Sequence, residues 1–329
     1  MSVLETIKSA IEASLKPTPT VFTIGFLIVL LFPFFLHYIL TSSTPYTALP
    51  AVLLLGPSGA GKTALLTLFE RGPLTPPSTS EKTTSEPATA AQTHTSLTPA
   101  SVELAVSSDS SGSSFRDDLD STGATAKKFL LIDTPGHAKL RGAAISRLAD
   151  SKYSLNPSTT SRSTVTDGTK LKAIVFVVDA AGLSDGDTSY DTSLPSTASF
   201  LYDVLLTLQK RATKAKGSKA PPTVPVLIAA NKLDLFTALP AALVKSNLEA
   251  ELGRIRKTRS KGLLDSGVGA DDDLAGGEES DEWLGEYGSD KFSFKQMMEF
   301  DIEVDVIGGN VTGDGPGADK WWRWIADKV

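Results

Sequence analysis

The sequence contains no cysteine, so disulfide staples and thiolate zinc sites are excluded outright. Histidine is nearly absent too: His37, His94 and His137 are the whole supply, too few to build a transition-metal centre from protein ligands. An excess of positive charge is also missing. With 32 Lys and Arg against 38 Asp and Glu, the chain has no basic field to neutralise a phosphate backbone, and no direct nucleic-acid binding is expected. A cysteine-free chain suits the cytosol.

One stretch departs from this soluble composition. Val21 to Leu40 is twenty residues without Asp, Glu, Lys or Arg, rich in Leu, Ile, Phe and Val. That length spans a hydrocarbon core as a helix, whereas a signal-peptide apolar region runs only about 7 to 15 residues. A single retained transmembrane helix over 21–40 is therefore expected, after a short leader (1–20) and before a linker (41–50). Pro33 is tolerable within such a span, and His37 and Tyr38 suit its interface.

Beyond the linker, short apolar runs alternate with helical periods. Strands are expected at Ala51–Leu55, Ser101–Val106, Lys128–Asp133, Ala173–Asp179, Val224–Ala230 and Ile302–Ile307. Helices are expected at about Lys62–Glu70, around Ser199–Gln209, at Leu239–Ile255 and at Ala318–Val329. This alternation predicts an α/β domain over 51–329: a mostly parallel six-stranded sheet with helices on both faces. Ser, Thr, Pro and Gly dominate 72–99, 107–126 and 150–170, and 260–290 is acidic; such compositions bury too little apolar area to offset ordering entropy, so disordered inserts are expected there.

Three motifs sit at strand ends. Gly56-Pro57-Ser58-Gly59-Ala60-Gly61-Lys62-Thr63 matches the phosphate loop G-x-x-x-x-G-K-[ST], with a buried strand before it and a helix after it. Backbone amides from Gly56 to Gly61, with Ser58, Gly59 and Ala60 between them, then converge on a β-phosphate. Lys62 supplies charge to the β- and γ-phosphates, and the Thr63 hydroxyl can ligate Mg²⁺. Asp133-Thr134-Pro135-Gly136 follows the third strand; Asp133 holds Mg²⁺ through water, and Gly136 lets an amide approach the γ-phosphate. Asn231-Lys232-Leu233-Asp234 follows the fifth strand, where the Asp234 carboxylate offers two acceptors to guanine N1–H and its exocyclic amine. Adenine lacks those donors, so GTP is selected over ATP. The expected cofactors are GTP and Mg²⁺. Such motifs need a compartment rich in both, which places the domain in the cytosol and the leader in the lumen, against the weak bias of Lys8 and Lys16.

In this order the motifs GPSGAGKT, DTPGH and NKLD resemble those of the Ras-like GTPase superfamily. The preceding span, the run DTPGHAKLR from Asp133 to Arg141, the strand AIVFVVDAA from Ala173 to Ala181 and the Trp-rich closing helix resemble the signal recognition particle receptor β subunit family. The resemblance implies an endoplasmic reticulum membrane protein whose cytosolic GTPase holds the receptor α subunit during cotranslational targeting, with the α subunit binding the GTP-loaded form. It also implies a switch threonine on Mg²⁺; Thr93 and Thr95 are both candidates, and Thr95 is the assignment made. In place of the usual Ser-Ala-Lys guanine loop the chain has Ile307-Gly308-Gly309-Asn310-Val311, and Gly309 is the position expected to meet the base through its backbone. His137 stands where relatives orient the attacking water; in the absence of an arginine finger such sites turn over slowly, so slow, partner-dependent hydrolysis is expected. The alternatives are a scaffold that holds GTP without turnover and an Arf- or Sar-type coat-recruiting GTPase. The latter attaches through an amphipathic or acylated N-terminal helix, and here no Gly follows Met1.

Overall fold

The computed structural model describes residues 19–43, 49–72, 93–107, 126–149, 171–184, 191–215, 224–265, 283–285, 289, 291–313 and 316–329. The chain divides into two units, 1–47 and 48–329. In the first, helix α1 (Pro19–Ser43) contains Pro33, and its described apolar side chains from Phe26 to Phe35 are all exposed. Among the described residues, no helix is long and apolar enough to cross a membrane. The side chains described without interruption cover only 25–35, about 16 Å of helix.

In the second unit, six strands form one sheet: β1 (Ala51–Leu55), β2 (Ala100–Ser107), β3 (Ala126–Asp133), β4 (Leu171–Asp179), β5 (Val226–Asn231) and β6 (Val304–Gly308). Their spatial order is β2-β3-β1-β4-β5-β6. All neighbours are parallel except β2 and β3, which run antiparallel with Ala100 opposite Asp133 and Ser107 opposite Ala126. The sheet is thus six-stranded and mostly parallel, as the alternation of elements predicts.

Side chains alternate across each strand, so β1 feeds two cores. Leu53 and Leu55 join Phe176, Val178 and Ile228 beneath α3 (Arg141–Ala149), α4 (Leu194–Ala215) and α5 (Ala241–Asp265). Val52 and Leu54 join Val175 and Val177 beneath α2 (Lys62–Arg71) and α6 (Asp319–Lys328). Helices therefore cover both faces. In the second core Trp322 lies 5.0 Å from Phe69 and 6.0 Å from Phe129, ring centre to ring centre.

Some boundaries differ from the sequence reading. Helix α4 extends beyond Ser199–Gln209 in both directions, and α5 continues to Asp265 instead of ending at Ile255, because no proline interrupts the helix there. Residues 260–265 are accordingly helical and not part of an acidic loop. Helix α3 was not anticipated. Most of the other expected inserts, and most of the leader and linker, lie outside the described residues.

Candidate nucleotide-binding site

The three motifs meet at the carboxyl ends of the parallel strands. Strand β1 leads to α2 on one face, whereas β4 leads to α4 on the other, so the crevice lies where the connections change face, the usual ligand position in an open α/β sheet. A cavity of about 240 Å³ opens there, lined by Ser58, Gly59, Gly61, Lys62 and Thr63 of the phosphate loop, by Gly136, and by the segment Thr93–Ser96. The segment that carries both threonine candidates, Thr93 and Thr95, therefore lies on the cavity wall beside the phosphate loop.

Two glycines are required by close approach. Gly61 has φ +99°, and a Cβ there runs into the Asn231 side-chain amide. A Cβ on Gly136 would lie 2.5 Å from Lys62 Nζ and 2.6 Å from both the Pro57 carbonyl carbon and the Ser58 nitrogen. The peptide at Gly136 thus presses on the phosphate loop with no room for a side chain. Gly56 and Ala60 are buried at the two shoulders of the loop.

Lys62, only 5% exposed, donates to the Pro57 carbonyl at 2.8 Å. Burial lowers its pKa to about 8 against the opposing pull of Asp133, a desolvation cost that a bound anion would offset. Thr63 donates its hydroxyl to Asp133 Oδ2 at 2.7 Å. Burial raises the Asp133 pKa, although the Thr63 hydrogen bond and Lys62 oppose the shift. Asp133 Oδ1 is buried without a hydrogen-bond partner, a costly state that a metal-bound water would relieve. Among the described residues no cluster of three or more His, Cys, Asp or Glu could hold a metal. One hydroxyl and one carboxylate still fit Mg²⁺, which takes its remaining oxygens from water and substrate phosphates.

At the base end, Asn231 is 2% exposed and bridges two loops: its Nδ2 donates to the Ala60 carbonyl at 2.8 Å, and its Oδ1 accepts from the Val311 amide at 3.2 Å. Lys232 adopts φ +66°, and its Nζ donates to Asp179 Oδ2 at 2.5 Å. Asp179 Oδ1 in turn accepts from the amides of Ala181 and Gly182 at 3.1 and 3.0 Å. Asp234 Oδ1 is buried with no hydrogen-bond partner. A carboxylate kept ready in this way suits a ligand with two adjacent N–H donors.

Two expected residues stand differently. The Gly309 amide donates to the Ala230 carbonyl at 2.9 Å, continuing the sheet, so in this structure it is turned to the strand and not to the base. Asn310 organises the rest of that loop, accepting from Gly317 at 2.7 Å and donating to the carbonyls of Thr312 at 2.8 Å and Gly313 at 3.0 Å. His137 is exposed, off the cavity wall, and its Nδ1 accepts from the Lys139 amide at 3.3 Å at the start of a 3-10 turn. The sequence reading missed Asp179, Asn310 and the role of Arg141. Only Asp179 left a signal, as the polar end of an apolar strand directly beside Asn231 in register.

Residues 159–299 match the family model described as the signal recognition particle receptor beta subunit. The chain is 28% identical to signal recognition particle receptor subunit beta of Saccharomyces cerevisiae over 214 residues, covering 65% of this chain and 61% of that protein. It is 32% identical to the Homo sapiens protein over 204 residues, covering 60% and 58%. The chain thus spans about three fifths of the length of these curated relatives. Among solved structures, the signal recognition particle receptor SRb-GTP/SRX complex from Chaetomium thermophilum is similar with a TM-score of 0.66 and 52% identity, covering 85% of this chain and 100% of that one. The SRb-GDP-Mg structure from the same organism gives 0.57 and 51%, covering 87% and 100%.

Proposed function

Because the chain belongs to the signal recognition particle receptor beta subunit family, we propose that it binds GTP with Mg²⁺ and holds the receptor α subunit at the endoplasmic reticulum membrane through one transmembrane span. The observation that carries the nucleotide reading is the pair of buried carboxylate oxygens left without hydrogen-bond partners, one on Asp133 beside Thr63 and one on Asp234 in the loop after β5. Relatives of this chain bind GTP, and GDP with Mg, at the same fold.

Within this reading, Lys62 and the amides of Gly56 to Gly61 bind the β- and γ-phosphates. Thr63, Thr95 and Asp133 hold the cation, which supplies neutralisation of the charge that builds on the phosphates. Gly136 brings its amide to the γ-phosphate. Asn231 braces the crevice, Lys232 is steadied by Asp179, and Asp234 receives the guanine donors. With the amides of Gly309, Asn310 and Val311 engaged by Ala230, Gly317 and Asn231, the amide of Thr312 or Gly313 meets the guanine carbonyl, and Gly309 contributes by fixing where that loop leaves the sheet.

The span is read from the uncharged stretch of Val21 to Leu40, which lies inside the 25-residue helix α1, about 37 Å long at 1.5 Å per residue. In a microsomal membrane fraction, the chain is expected to stay in the pellet through alkaline carbonate extraction. The re-added N-terminal domain of the α subunit should then bind those membranes with GTP and not with GDP. Release of the chain into the supernatant contradicts the anchor, and equal α-subunit binding with both nucleotides contradicts the switch.

A latch that turns over slowly is the second reading, and the position of His137, exposed and accepting from Lys139, favours it until a partner redirects the ring. If His137 orients water, single-turnover hydrolysis in a His137→Ala chain slows by about 100-fold or more. Equal rates would remove His137 from the chemistry and leave the latch.

A further inference from the structure

Arg141 lies five residues past Gly136 and joins three pieces of chain. Its Nε donates to the Gly136 carbonyl at 3.1 Å. Its Nη1 donates to the Ser196 hydroxyl at 3.2 Å and to the Ser196 carbonyl at 3.4 Å. Its Nη2 donates to the Asp191 carbonyl at 3.5 Å and stands 3.6 Å from the Asp191 carboxylate. The guanidinium also lies 4.9 Å from the centre of the Phe200 ring on α4. Only 12% of the Arg141 side chain and 22% of the Asp191 side chain are exposed, so the pair is poorly screened by water.

The far end of this anchor returns to the phosphate loop. Thr192, next to Asp191, places its methyl 3.8 Å from where a Cβ on Gly59 would stand. The near end is the Gly136 peptide, whose packing against Pro57, Ser58 and Lys62 leaves no slack. A planar fork is suited to this task because its separate N–H groups reach acceptors on three sides at once, whereas an ammonium is a single point.

We propose that Arg141 is a positioning residue: by tying the Gly136 carbonyl to Asp191 just before α4 and to Ser196 in its first turn, it holds the Gly136 peptide at the phosphate loop and so sets the preference for a nucleoside triphosphate over a diphosphate. The inference rests on the reading of the crevice as a guanine nucleotide site. Arg141 itself touches neither base nor phosphate in this scheme; it acts through Gly136. A salt bridge that only supported the fold would strengthen binding of both nucleotides alike.

The test uses the full chain in detergent with Mg²⁺, comparing affinities for GDP and for a non-hydrolysable GTP analogue. In an Arg141→Ala chain the triphosphate affinity should fall about tenfold, with GDP changed less than about twofold, as expected for loss of one hydrogen-bonded anchor. Arg141→Lys, able to reach Gly136 or Asp191 but not both, should restore only part of the difference. Asp191→Asn, at the partly exposed end of the anchor, should shift the triphosphate-to-diphosphate ratio in the same direction by about threefold. Equal losses for both nucleotides in Arg141→Ala overturn the proposal. If that variant does not fold, an unchanged ratio in Asp191→Asn overturns it. An unmodified chain that binds neither nucleotide is a different failure: it removes the site reading itself and this inference with it.

Discussion

An Asp234→Asn chain is expected to bind GTP about 10- to 100-fold more weakly than the unmodified chain, the cost of leaving buried donors of the base without their acceptor. Asp234 Oδ1 is already shielded from water and unpartnered, so that oxygen pays little further desolvation when a base with two adjacent N–H groups approaches. Asparagine keeps the shape but turns one acceptor into a donor, which then faces the exocyclic amine of guanine. The substitution should also narrow the gap between GTP and ATP, because discrimination at such a site comes from polar groups that adenine leaves unpaired. Calorimetric titration with GTP, GDP and ATP in Mg²⁺ measures both effects. Unchanged GTP affinity in the variant would falsify the assignment of Asp234 to base recognition.

Trp322→Ala should lower the unfolding free energy by about 3–5 kcal/mol, the range for emptying a large aromatic site in a packed core. The Trp322 ring is 1% exposed and wedged between Phe69 of α2 and Phe129 of β3. Neither neighbour can readily follow it into the void: Phe69 is held by the helix that starts at Lys62, and Phe129 by its pairing opposite Leu104 of β2. Urea unfolding followed by far-ultraviolet circular dichroism gives the difference directly. A loss below about 1 kcal/mol would show that the cavity collapses and that α6 is not a principal support of the phosphate-loop face.

The parallel strands were readable because a strand buried on both faces leaves a continuous apolar run, as in Val52 to Leu55 or Ile174 to Val178. Strand β2 carries another pattern: Leu104 and Val106 are buried while Ser101 and Glu103 are exposed, the alternation of an antiparallel edge. Helix α3 escaped notice because it buries only Ala144 and Leu148 among small and polar neighbours, too faint a stripe for a helical period. In the site, the phosphate loop, Asp133 and the Asn231–Asp234 motif were legible as compact strings tied to strand ends. The roles of Asp179 and Arg141 were harder to read, because the partners Lys232 of Asp179 and Ser196 of Arg141 lie more than fifty positions away in the chain and only the fold brings them together. The Gly309 amide shows the complementary limit: the sequence locates a loop, but not which of its amides the last turn of the strand consumes.

Asn231 has one more consequence, and it concerns departure. A single side-chain amide ties the carbonyl of Ala60, on the phosphate side, to the amide of Val311, on the base side. Movement at either end therefore strains the hydrogen bond that the same amide makes at the other. In the proposed nucleotide site, a substitution that removes this amide is expected to loosen both ends together.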